Sequence, residues 1–141
     1  MIQIRPATDA DIPTLAPLFL ETRIKAFPWF PPESFHLDDF VRDTAGEDVY
    51  LAHDSNLCPL GFISVWTPDS FIHHLFVSPD EQGRGIGSLL LQSLDSWLPR
   101  PYRLKCLLAN RPAKAFYVRH GWKVVSTGDD PQGQYALMEL A

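Results

Sequence analysis

Two cysteines in 141 residues, Cys58 and Cys106, are too few for a disulfide framework and too far apart to share a metal-ligand spacing. Both read as ordinary buried thiols on separate strands, and no metal is expected. No apolar run reaches the length of a membrane span, and no basic-then-apolar leader opens the chain, so a cytoplasmic protein without a membrane partner is expected. Basic residues are scarce, with 12 Lys and Arg against 17 Asp and Glu and a net charge of −5. That balance argues against a nucleic-acid partner, whose affinity is carried by clustered Lys and Arg. Repeats, low-complexity stretches and linkers are also missing. The chain is long enough to bury a sizeable core, and one domain over residues 1–141 is expected.

What the chain does have is concentrated in Phe71 to Trp97. Phe71-Ile72-His73-His74-Leu75-Phe76-Val77 reads as a buried strand, and Ser78-Pro79-Asp80 ends it. Gly83, Gly85 and Gly87 follow, and then Ile86, Leu89, Leu90, Leu94 and Trp97 recur at helical spacing until Pro99. A helix that starts on glycines offers unpaired N–H groups with no Cβ in front of them, and its dipole adds positive potential. Such a turn suits a phosphate or pyrophosphate.

A P-loop would need a lysine after these glycines, and a dinucleotide fingerprint would need a glycine where Ser88 or Leu90 stands. The hexapeptide present, Gln82-Gly83-Arg84-Gly85-Ile86-Gly87, resembles instead the Gln/Arg-x-x-Gly-x-Gly/Ala signature of the GNAT superfamily of N-acyltransferases. A second stretch, from Asn110 to Trp122, is similar to that family's Asn-x-x-Ala-x-x-Phe-Tyr-x-x-x-Gly-Phe/Trp segment through Asn110, Ala113, Phe116, Tyr117 and Gly121. The resemblance is close in the C-terminal half and extends to the N-terminal half only in the order of elements.

Taken in order, Ile2 to Arg5 alternates as a strand, and Thr8 caps a helix running to about Ala26 with Ile12, Leu15, Ala16 and Phe19 on one face. A second helix is expected from Glu33 to Thr44. Val49–His53 and Leu60–Trp66 form a hairpin around Asp54-Ser55-Asn56. Arg103–Leu108 returns after a helix, which makes it parallel to the Phe71–Val77 strand. A helix from Ala113 to His120 ends at Gly121. Trp122–Val125 and Tyr135–Leu140 close the chain as a hairpin around a loop from Thr127 to Gln134. The reading is an α/β fold: one mixed twisted sheet of about seven strands with about four helices on both faces, the element order of the GNAT fold.

The resemblance implies acetyl-CoA as co-substrate, and an acetyl group moved to an amine by direct attack in a ternary complex. The pantetheine arm would lie along Leu75, Phe76 and Val77. The pyrophosphate would meet the backbone of Gln82, Gly83, Arg84, Gly85, Ile86, Gly87 and Ser88; Arg84 either adds charge there or is solvated. Tyr117 matches the tyrosine that protonates the departing thiolate, with Ala113 and Phe116 beside it in the motif. Asn110 matches a pantetheine contact and is equally suited to cap its helix. His73 stands where many members carry a glutamate base; histidine's ordinary ability to take up a proton near neutrality suits that role, and a water chain is the other contender. Strand alternation would put His73 and His74 on opposite faces. Lys105 occupies the position where ribosomal-protein alanine acetyltransferases carry their glutamate, so that activity is disfavoured. Phe27, Trp29, Phe30 and Trp66, with Phe35, are candidates for an acceptor pocket or for packing between helices, and Glu33, Asp38 and Asp39 could attract an amine. The expected acceptor is a small-molecule primary amine, with a peptide lysine as the alternative. An acyl-CoA sensor without turnover is the reading outside the enzymes, and the chain would be a monomer or a homodimer.

Overall fold

The computed structural model, which describes residues 1–141, has seven strands in one mixed sheet. They are β1 (Gln3–Pro6), β2 (Asp48–His53), β3 (Pro59–Trp66), β4 (Phe71–Val77), β5 (Tyr102–Leu107), β6 (Lys123–Asp130) and β7 (Gly133–Leu140). Their spatial order is β1-β2-β3-β4-β5-β7-β6, and only the β4–β5 pair is parallel. Four α-helices cover the two faces: α1 (Ile12–Ala26), α2 (Asp39–Asp43), α3 (Ile86–Ser93) and α4 (Arg111–Arg119). This is the α/β architecture expected from the sequence, and no helix is long and apolar enough to cross a membrane.

Each face has its own core. Ile86, Leu90, Leu91 and Leu94 from α3 and the turn after it, together with Tyr117 and Trp122, pack on Ile63, Val65, Ile72, Leu104 and Met138 of the sheet. On the opposite face Leu15, Ala16 and Phe19 of α1 and Phe40 of α2 pack on Leu51 and Phe62. The entry to α1 is set by charge. Asp11 takes two hydrogen bonds from the Arg5 guanidinium, at 2.8 and 2.9 Å, and a third from the Thr8 N–H at 2.8 Å. The Arg5 hydrogen bond chiefly holds the Asp11 carboxyl down at about 2.

Three expectations need correction. The second helix shrinks to Asp39–Asp43, preceded by a single 3-10 turn at Pro32–Ser34. Phe35 leaves the helical path to join Phe27 and Phe30, and the Asp39 carboxylate accepts from the His36 N–H at 2.9 Å, which fixes where the helix begins. The last hairpin runs straight through the expected loop: β6 continues to Asp130, and Pro131-Gln132 alone make the turn. Ser126 to Asp130 lacks apolar alternation because β6 is an edge strand facing solvent. Gly128 pairs with Tyr135, whose ring fills the space a side chain there would need. Finally, Cys58 lies in the turn before β3 and is exposed, while Cys106 is buried as read.

Candidate active site

The feature that organises the site is an extra residue in β4. Val65 pairs with Ile72 and Ser64 with His74, which leaves His73 unmatched as a bulge. Alternation therefore breaks there: Ile72 faces the α3–α4 core, whereas His74 packs against Phe19 of α1. At the same point β4 leaves β5. The parallel ladder holds only Phe71↔Arg103 and Ile72↔Leu104, although β4 stays paired to β3 as far as Val77 and β5 stays paired to β7 as far as Leu107. Leu75, Phe76 and Val77 thus turn one backbone edge toward an open slot and are half-buried along it. An extended ligand carrying amides can pair with such an edge.

The glycine turn lies beyond the end of β4. Gly83 and Gly85 adopt left-handed backbone angles, φ +87° and +78°, and a Cβ on either would meet nothing within 4 Å. Gly85 is the N-cap of α3 and no side chain caps it, so the first N–H groups face open space. Gly87 has a different reason to be glycine: a Cβ there would stand 3.2 Å from Cζ of Phe116, so its absence lets α3 and α4 approach. The Ile86 side chain is sunk in the core, which leaves only its backbone to face a ligand. Arg84 forms an ion pair with Glu81, and Gln82 Nε2 donates to the Val77 carbonyl at 3.4 Å. Ser88 Oγ is 2.7 Å from His120 Nε2, while His120 Nδ1 is 2.7 Å from the Phe116 carbonyl. The carbonyl can only accept, so His120 Nδ1 carries the proton and Nε2 accepts from Ser88.

Tyr117 projects from α4 into the α3–α4 core and packs against Phe116 and Trp122, with ring centroids 5.3 and 5.6 Å away. Burial pushes its phenol far up, and the neighbouring Cys106 adds to the shift. At neutral pH it therefore keeps its proton and can donate its O–H, which suits it to meet a departing anion. Asn110 is the N-cap of α4, and its Oδ1 accepts from the Ala113 N–H at 3.4 Å.

On the other side of β4 the bulge brings both histidines to one carboxylate. His73 Nδ1 is 2.6 Å from Glu47 Oε2, and the two imidazole centroids are 3.9 Å apart. The expectation that alternation separates them fails because the bulge intervenes. A carboxylate only accepts, so His73 Nδ1 carries the hydrogen, and in the neutral ring Nε2 is the nitrogen with the lone pair. Ser64 Oγ sits 2.8 Å from His74 Nδ1, and His74 is pulled down to about 3, chiefly by burial and then by His73 and Arg23. Glu47, Ser64 and His120 escaped the sequence reading. They meet their partners only through the fold, from 10 to 32 positions away.

Phe27, Trp29, Phe30 and Phe35 form one aromatic group, which reaches the slot where Phe27 meets Phe76 at 6.2 Å. Trp66 is not part of it. It pairs with Phe71 at the opposite end of β4, about 16 Å along the strand, and covers Gly46. Asp39 is not free to attract an amine either, because Arg23 at 3.1 Å and Arg42 at 3.0 Å already hold it.

The model of the acetyltransferase (GNAT) family matches residues 13–122. The peptidyl-lysine N-acetyltransferase YiaC of Escherichia coli (strain K12) is 29% identical over 130 residues, covering 86% of this chain and 84% of that protein. Among solved structures, apo YjaB from Escherichia coli superposes with a TM-score of 0.79 at 24% identity, over 100% of this chain and 97% of that one. The PaiA N-acetyltransferase from Thermoplasma acidophilum, in complex with coenzyme A, gives a TM-score of 0.80 at 19% identity, over 99% and 98%. At those identities the two structures speak for the fold alone.

Proposed function

The chain belongs to the acetyltransferase (GNAT) family, and from that premise we propose that it moves an acetyl group from acetyl-CoA to a primary amine of a small molecule. The observation that carries this reading is the slot opened where β4 leaves β5 at His73, with the uncapped glycine turn at one end of β4 and Tyr117 on α4. The free edge of Leu75 to Val77 offers hydrogen bonds to the pantetheine amides. The N–H groups from Gly83 to Ser88 meet the pyrophosphate, and Arg84 reaches it by exchanging Glu81 for phosphate. The acceptor enters past Phe27, Trp29 and Phe30. Its nitrogen attacks the thioester carbonyl and gives up a proton to His73 Nε2, directly or through one water. The carbon–sulfur bond then breaks, and Tyr117 donates a hydrogen bond to the thiolate that leaves. Glu47 holds His73 in the tautomer this step needs.

A peptide lysine is the second reading for the acceptor, favoured by the 29% identity to a peptidyl-lysine N-acetyltransferase. Thiol release from acetyl-CoA, measured over polyamines, amino acids, aminoglycosides and lysine peptides, separates the two. Turnover is expected with one class of acceptor and at least tenfold less in Tyr117→Phe, with acetyl-CoA binding kept. Acetyl-CoA binding without release on any acceptor would overturn the proposal in favour of a sensor.

A further inference from the structure

We propose that Glu47, His73 and His74 form a binding site for a divalent transition-metal ion of the zinc type, held between the turn before β2 and the bulge of β4. One ligand atom from each residue lies within 4.8 Å of the other two. Glu47 Oε2 is 2.6 Å from His73 Nδ1, and Oε1 is 3.9 Å from His74 Nδ1. The Glu47 side chain is only 7% exposed, and its Oε1 is buried without a hydrogen-bond partner. A carboxylate oxygen stripped of water and given no donor is costly, and a cation removes that cost.

The donor set names the ion. Two imidazoles and one carboxylate match zinc and its first-row neighbours, whereas magnesium and calcium take oxygen ligands. Ligand atoms around a tetrahedral zinc stand roughly 3.4 Å apart, given bonds of about 2.1 Å. The widest separation here must therefore close by a little over an ångström. The residues are divided suitably for that movement. His74 is fixed in the wall of the site by Phe19 and Phe76, and the Ser64 hydroxyl, 2.8 Å from its Nδ1, turns away when that nitrogen takes the ion. Glu47 is equally enclosed. His73, with 44% of its side chain exposed at the bulge, can swing inward, and solvent can supply a fourth ligand from its side.

An ion on the Nδ1 side of His73 has a chemical consequence. The ring proton that Nδ1 donated to Glu47 moves to Nε2, and the lone pair assigned above to the acceptor's proton is lost. The metal site itself does not rest on that assignment, because binding is read with no substrate present.

The test is calorimetric titration of EDTA-stripped protein with ZnCl2, with CoCl2 absorption to report the coordination. His73→Ala, His74→Ala and Glu47→Ala are compared with His36→Ala as an unrelated histidine. One ion per chain is expected, with cobalt bands of a four-coordinate site. Affinity should fall at least tenfold in His73→Ala, whose exposed side chain is not needed for folding, and stay unchanged in His36→Ala. No binding, or equal binding in His73→Ala and His36→Ala, would overturn the site. Zinc that binds at this site yet leaves acetyl transfer untouched would support the site and refute His73 as base.

Discussion

The two faces of the sheet are built on different terms. The α3–α4 face is an apolar core of seventeen buried residues, and the fixed points of its proposed ligand seat are backbone groups at a glycine turn. The α1–α2 face has six buried apolar residues, and it also buries the Arg23–Asp39 ion pair and the enclosed Glu47 and His74 side chains. Arg23 lies over the Phe19 ring at 3.8 Å and donates to Asp39, so aromatic surface and charge are packed together. A face made of backbone and hydrocarbon tolerates exchange of similar volumes. A face made of paired charges depends on both partners being present.

That difference can be broken at its strongest point by Asp39→Ala, which leaves the Arg23 guanidinium buried and unpaired. It should cost about 3–5 kcal/mol, and the double variant Arg23→Met/Asp39→Leu should recover most of the loss. Urea unfolding measures both; a double variant as unstable as the single would show that the charge pairing is not what matters. Leu90→Ala, fully buried on the other face, belongs in the same experiment at about 2–5 kcal/mol. A smaller effect is expected at Gly87→Ala. The added methyl meets the Phe116 ring at 3.2 Å, so about 1–3 kcal/mol of strain is expected, together with weaker acetyl-CoA binding as α3 is pushed from α4. Calorimetry with acetyl-CoA reads the second part, and unchanged affinity would separate helix packing from the ligand seat.

The smallest effect is on the acid limb. Asp11 is held down to about 2 from an ordinary 3.8 by Arg5 first. Its contribution to stability is therefore complete above about pH 4 and is lost as the pH falls toward 2, because the unfolded chain takes up the proton first. Asp11→Asn should flatten that part of the stability profile, measured by urea midpoints from pH 5 to 2.

The contrast between the faces also explains what could be read from the residues. The strand Phe71–Val77, the glycine turn and the start of α4 at Asn110 are local in sequence, and each signal lies within a dozen residues. The parallel return of β5 follows from the helix between the strands. The short α2 was not legible, because Phe35 is drawn away by rings at Phe27 and Phe30 rather than by its neighbours in the chain. The polar half of β6 was missed because an edge strand need not alternate. Glu47 carries no local mark at all. It matters only because 26 residues later a bulge turns a histidine toward it.

That bulge has a further implication, which concerns length rather than side-chain identity. Ile72 and His74 already face opposite sides of the sheet, as neighbours in a regular strand would. Removing position 73 would leave every other β4 side chain on its present face while taking out the irregularity at which β4 leaves β5. The informative edit is therefore a deletion, which no substitution scan contains.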